Sequence, residues 1–208
     1  MKSILPFAFL LAVVSSESCS QPGFEYRESI RIAGAVVDSV STDVNTDSTL
    51  YEYSVKEEYS SLEVGLGAYV YKDGEKKGLA ELAVSQTSYA DLDALEVALG
   101  GRFFLGQTES FHPYASLYWV SSFFEQDGSV NSTAGAVGGI DPGTYGSIRA
   151  GVGTEYRMGP SFFLDASLRY LLPIMDGNTV GGWADNGVES IDFSGFSVFL
   201  GMGFEFGK

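Results

Sequence analysis

An all-β chain, closed into an antiparallel up-and-down barrel of eight membrane-crossing strands, is the fold class that this sequence predicts. Three observations carry the prediction. From Phe196 to Phe206 every even position is apolar, and Ser197, Gly201, Gly203 and Glu205 stand between them. Side chains alternate faces along a strand, so one face of this segment is continuously oily. Its length meets the roughly 9–11 residues that a membrane-spanning strand requires. Beyond the N-terminal region, no segment offers the roughly 20 unbroken apolar residues of a helical span, which leaves the closed sheet as the way across a bilayer. Finally, 26 glycines, 12 tyrosines and 15 phenylalanines in 208 residues fit a single all-β domain.

The N-terminus reads as a secretory signal peptide over residues 1–18. Lys2 precedes an apolar run from Ile4 to Val14, and Ser16-Glu17-Ser18 closes it. A short segment, 19–26, leads into the barrel domain at 27–208. Cys19 is the only cysteine, so no intrachain disulfide forms. Its position fits a lipid-acceptor cysteine, but Ser16-Glu17-Ser18 departs from the Leu-Ala-Gly type of box, and an incidental residue is the preferred reading. The formal charge of −15 excludes a nucleic-acid partner, because a phosphate backbone would repel it.

Eight strands follow in order. Residues 27–40 alternate Ile30 and Ile32 with Arg31, and 50–71 alternates Leu62, Val64 and Leu66 with Glu63. In 78–88 the inward charge is Glu81; in 93–105, Leu95, Val97, Leu99 and Phe103 oppose Glu96 and Arg102. Leu117 and Trp119 oppose Ser116 and Tyr118 in 112–124, and Ile148 and Val152 oppose Arg149, Glu155 and Arg157 in 145–157. In 161–173, Phe162, Leu164 and Leu168 oppose Asp165, Ser167 and Arg169; in 191–206, Val198, Leu200 and Phe204 oppose Ser197 and Glu205. A break at Glu57-Glu58 would divide the second segment and raise the count to ten; one long hairpin projecting beyond the membrane is preferred.

The connections Lys72 to Lys77, Gly106 to Phe111 and Met158 to Pro160 are short, whereas 41–49, 125–144 and 174–190 are long; Tyr89 to Leu92 is the short exception on the long side. Tight periplasmic turns and longer external loops have this arrangement. Together with the ending Gly201-x-x-Phe204-x-Phe206, the pattern resembles the small eight-stranded bacterial outer-membrane barrels of the OmpA and OmpX type, from about residue 27 onward. The ending is similar to the C-terminal assembly signal of such barrels, formed here by Gly201, Phe204 and Phe206. It departs at Phe199, where a polar residue is usual, and in having Gly207 and Lys208 after the final aromatic. The resemblance implies the bacterial cell outer membrane as location, and outer-membrane lipids, lipopolysaccharide and the barrel-assembly machinery as partners.

The inward parity collects Arg31, Arg102, Arg149, Arg157 and Arg169 with Glu63, Glu81, Glu96, Glu155, Asp165 and Glu205, five arginines against six carboxylates. An eight-stranded barrel is just wide enough to be filled by side chains, and charges in so narrow a space must pair. Arginine suits this because its fork matches a carboxylate in two places. The expectation is a side-chain-plugged lumen and not an open pore. Tyr69, Tyr71, Tyr156, Tyr170, Trp119, Phe123 and Phe124 are assigned to interfacial aromatic girdles. Most remaining carboxylates, among them Asp38, Glu57, Glu58, Asp127 and Glu189, fall in external segments against Lys56 alone, so the rim is acidic and divalent cations would bridge it to lipopolysaccharide phosphates.

Little catalytic chemistry is visible. Asp43-Val44-Asn45-Thr46-Asp47 spaces oxygen ligands like the opening of a calcium loop, but Ser48 stands where the turn glycine belongs and Ser54 where the closing Glu belongs. Asp43, Asn45 and Asp47 are weak metal candidates, and a polar external loop is preferred. His112 is the only histidine and lies beside Pro113 at an inner turn, away from outer-leaflet lipid; a structural role is favoured over acyl transfer. No zinc cluster or phosphate-cradling loop appears, and no cofactor is expected. Gly151, Gly153, Gly65 and Gly67 are read as room for large inward side chains. The function expected is non-enzymatic, either structural or a surface interaction through acidic loops. A narrow channel, a lateral-diffusion transporter using Trp183, Ile140 and Val137, or a lipid-modifying enzyme are the alternatives.

Overall fold

The computed structural model describes residues 23–38, 41–46, 52–55, 59–89, 92–106, 108–124, 130–132, 135–137, 144–174 and 188–206. The signal-peptide segment, Cys19, Asp47, Glu57-Glu58, Ile140 and Trp183 lie outside the described residues. The described residues form twelve strands: β1 Phe24–Asp38, β2 Ser41–Thr46, β3 Glu52–Val55, β4 Tyr59–Lys72, β5 Glu75–Tyr89, β6 Leu92–Phe104, β7 Phe111–Phe124, β8 Val130–Ser132, β9 Gly135–Val137, β10 Thr144–Arg157, β11 Phe162–Pro173 and β12 Val188–Glu205.

Eight of them close a barrel in the order β1-β4-β5-β6-β7-β10-β11-β12, with β12 returning to β1. The closing seam is antiparallel, from Ser29 opposite Glu205 to Asp38 opposite Ser197, with a bulge between Ala35 and Val37. Closure leaves no unpaired edge in the barrel wall, which is the condition for placing a sheet in hydrocarbon.

Three connections at one end are short. The tightest follows from its residues: Lys72 pairs with Glu75, so Asp73-Gly74 makes a two-residue turn, and both have positive φ, 54° and 81°. That is the mirror-image turn favoured in hairpins, and Asp-Gly is suited to it. At the other end two of the connections, β1 to β4 and β7 to β10, contain extra strands, whereas β5 runs into β6 across two residues. β2 pairs with the first part of β12 and with β3, so a three-stranded ribbon continues beyond the barrel wall; β8 and β9 form a separate small hairpin.

Three expectations are corrected here. The segment 50–71 is not one strand but β3 and β4, and 41–49, expected as a loop, contains β2. The barrel still has eight strands, because the two additional members of the ten-stranded sheet lie outside the closed wall. The turn between Lys72 and Lys77 is also narrower than expected, since β5 begins at Glu75.

Outward positions are apolar. Leu62, Val64, Leu66, Ala68 and Val70 run down β4 between Ser60 and Lys72, and Leu99, Leu117, Trp119, Leu168 and Leu200 continue the exposed belt around the wall. At about 3.4 Å per residue and a tilt of about 40°, Leu62 to Val70 covers roughly 21 Å, close to the ~25 Å apolar band of such barrels. Phe111 against Tyr156 and Phe162 against Phe204 form aromatic pairs toward the short-turn end.

Candidate functional site: the charged interior

Alternation carries the other face of every barrel strand inward, and glycines make the space that the larger inward groups occupy. A Cβ on Gly65 would come within 2.3 Å of the Glu81 carboxylate, on Gly153 within 2.6 Å of the Tyr114 ring, and on Gly203 within 2.4 Å of the Phe163 ring. These side chains lie in the room that the glycines leave.

Arg31, Glu63, Glu81, Glu96, Arg102, Arg149, Glu155, Asp165, Arg169 and Glu205 are all buried inside the barrel, with Arg157 half-buried at the inner end. Toward the outer end, one carboxylate gathers three arginines: Glu63 accepts from Arg31 Nη2 at 2.5 Å, Arg149 Nη2 at 2.6 Å and Arg169 Nη1 at 3.1 Å. β4 and β10 stand four strands apart in the ring of eight, so the Arg149–Glu63 bond crosses the axis. Glu96 accepts from Ser85 and Ser122.

Midway, Arg31 Nε donates to Glu81 at 2.9 Å, and Tyr118 donates to the same carboxylate at 2.6 Å. Arg102 makes a two-pronged contact with Asp165, at 3.0 and 3.3 Å, and reaches Glu155 at 3.2 Å. Asp165 also accepts from Tyr114 at 2.6 Å. Such forked, charge-assisted pairs are the strong ones.

The inner end contains groups that the sequence reading did not place there. Lys76 is buried, donates to Glu155 at 2.9 Å and lies 3.2 Å from Glu205. Its ammonium sits 3.6 Å from the Tyr69 ring centre, with the Phe104 and Phe163 rings nearby. Tyr69 donates to Glu155 across the axis at 2.7 Å, Tyr71 donates to Glu205 at 2.5 Å, and Arg157 closes on Glu205 as well. Tyr69 and Tyr71 are therefore interior residues and not girdle members. They share the parity of Glu63, and the bulge between Val70 and Tyr71 leaves both inside. Trp119, Phe123 and Tyr156 do face outward, Tyr170 packs at a tilt against Phe196, and the Phe124 side chain lies outside the described residues. With Lys76 and the half-buried Arg27 and Arg157 counted, seven cations meet six carboxylates in the described interior.

Asp43 and Asn45 stand in the β2–β3 ladder, opposite Ser54 and Glu52, rather than in a loop. His112 is buried near the inner end, edge-on to Phe104 at 6.5 Å, and among the described residues neither ring nitrogen has a hydrogen-bond partner. Gly201 and Phe204 lie on β12, with Phe204 and Phe206 exposed on the outer face. Val137 belongs to β9. A groove of about 400 Å³ opens beside Ala35, Ser60, Leu62, Gln86, Ser88 and Asp93.

A closed antiparallel eight-stranded barrel, apolar outside and charged within, is an outer-membrane β-barrel: the exposed leucine and phenylalanine belt demands hydrocarbon around it. No protein-family model and no curated protein matches the chain. Among solved structures it is similar to Neisserial surface protein A, at 14% identity and a TM-score of 0.53 over 88% of this chain and 99% of that one. It is also similar to the Pseudomonas aeruginosa outer-membrane protein OprG, at 18% identity, a TM-score of 0.49 and 89% and 96% coverage. The N-terminal barrel of Pseudomonas aeruginosa OprF gives 17%, 0.46, and 88% and 100%. At such identity the likeness to the Neisserial protein is one of fold.

Proposed function

We propose that this chain is a non-enzymatic barrel of the bacterial outer membrane whose lumen is closed by its own side chains, and which serves the membrane structurally or meets a surface partner through its acidic external segments. The observation that carries the reading is the set of contacts spanning the axis, Arg149 to Glu63 and Tyr69 to Glu155, with Tyr69, Tyr114, Phe163 and Phe199 fully buried between them. A path for hydrated ions would have to break these pairs, and separating one partner from a buried pair costs about 3–5 kcal/mol. The external ribbon of β2, β3 and early β12 carries Asp43, Glu52, Glu189 and Asp192, so a cationic partner, or divalent cations bridging to lipopolysaccharide, fits that side. The C-terminal Gly201, Phe204 and Phe206 fit recognition by the barrel-assembly machinery.

Reconstitution in planar bilayers tests the closure. The expected record is a quiet baseline at 1 M salt. Large, stable, ohmic steps would overturn the reading in favour of a channel.

A further inference from the structure

Among the described residues, the outer half of the interior holds three guanidinium groups against two carboxylates, with Arg31 also shared by Glu81. Arg31, Arg149 and Arg169 share Glu63. Arg31 has a further acceptor in Glu81 and leaves only Nη1, 3.8 Å from Asp165, without a hydrogen bond; Arg169 donates to Ser167 and lies over the Phe199 ring at 3.8 Å. Arg149 is different. Only its Nη2 is engaged, whereas Nε and Nη1 are buried with no hydrogen-bond partner, in a residue 3% exposed. Ser147, fully buried two residues outward on the same face of β10, has an Oγ without a partner as well.

Buried guanidinium donors left without an acceptor are costly, and native interiors rarely leave them so. The charge ledger agrees. Toward the outer end Arg31, Arg149 and Arg169 face Glu63 and Glu96, an excess of one positive charge. In the middle and toward the inner end Arg102, Lys76, Arg157 and the half-buried Arg27 face Glu81, Glu155, Asp165 and Glu205, four cations against four carboxylates among the described residues.

We propose that Arg149 and Ser147 hold a small monovalent anion of the halide class, reached from the external end of the barrel. Three donors on one strand face, two of them on a cation, match an acceptor that carries charge and needs no directed lone pair. A single surplus charge calls for a single counter-charge. The size limit follows from packing: the Arg149 guanidinium lies 5.4 Å from the Tyr118 ring centre and Val120 stands opposite Ser147, fully buried, which leaves little room for a phosphate or an organic acid. Water alone would accept from one or two of these donors and leave the charge uncompensated.

The refolded chain, crystallised from bromide, provides the test. The expected result is an anomalous peak within hydrogen-bond reach of Arg149 Nε or Nη1 and Ser147 Oγ. Absence of that peak at saturating bromide, or a plain water in its place, overturns the proposal. In detergent, the heat-modification midpoint should be higher in bromide than in gluconate at equal ionic strength, and equal midpoints count against the site. Ser147→Ala keeps every ion pair and should raise the half-saturating bromide concentration about fivefold, the loss of one hydrogen bond of about 1 kcal/mol. An unchanged bromide dependence in that variant would remove Ser147 from the site. Conductance is a separate readout, so failure here leaves the closed-lumen reading standing or falling by itself.

Discussion

Glu63 anchors the outer half of the interior, because a fully buried carboxylate is shared by three guanidinium groups. Glu63→Gln leaves those cations without their common partner, and stability should fall by about 3–5 kcal/mol, read as a lower urea midpoint of the refolded barrel in detergent. Gly65 supports the same cluster indirectly. A Cβ there meets the Glu81 carboxylate and approaches Arg31 Nη2 at 3.3 Å, so Gly65→Ala pushes Glu81 off Arg31. The expected cost is about 1–3 kcal/mol, and it should be less than additive with Glu63→Gln, because both changes disturb Arg31. A fully additive double variant would show that the two positions act apart.

Strands reveal where alternation is sufficient and where it fails. Every lipid-facing residue read from the sequence, from Ile30 to Phe204, is exposed or half-buried on the outer wall, because a period of two fixes the face once one residue is placed. Lys76 escaped because two lysines beside Asp73-Gly74 read as a solvated turn, whereas the two-residue turn returns the chain into the ladder by Glu75. Phe199 broke the polar parity of the last strand, and its place inside becomes intelligible only with Arg169 stacked against it. β2 and β3 were illegible for another reason: Ser-Thr-Asp-Val-Asn-Thr has no oily face, and its pairing is dictated by β12, a partner far along the chain. The belt yields its own prediction. Leu66 lies midway along the apolar run of β4, and Leu66→Arg should cost about 2–4 kcal/mol in lipid vesicles, whereas arginine at Ser60, near the rim, should cost about 0–1.

At the scale of the molecule, the closed ladder and the ionic interior make a wall without a loose edge. The native barrel should migrate faster than the heated chain on a denaturing gel run cold, since detergent finds no free strand at which to begin. Identical mobility before and after heating would be the contrary result.

The seam between β1 and β12 has a consequence for how the barrel is made. Until Arg31 meets Gly203 across that ladder, the concave side of the sheet would offer its arginines and carboxylates to whatever surrounds it. Hydrocarbon tolerates neither those ions nor the two raw strand margins. Insertion and zipping shut therefore have to proceed together, and a half-rolled intermediate belongs at the bilayer surface, with its polar hollow still wet.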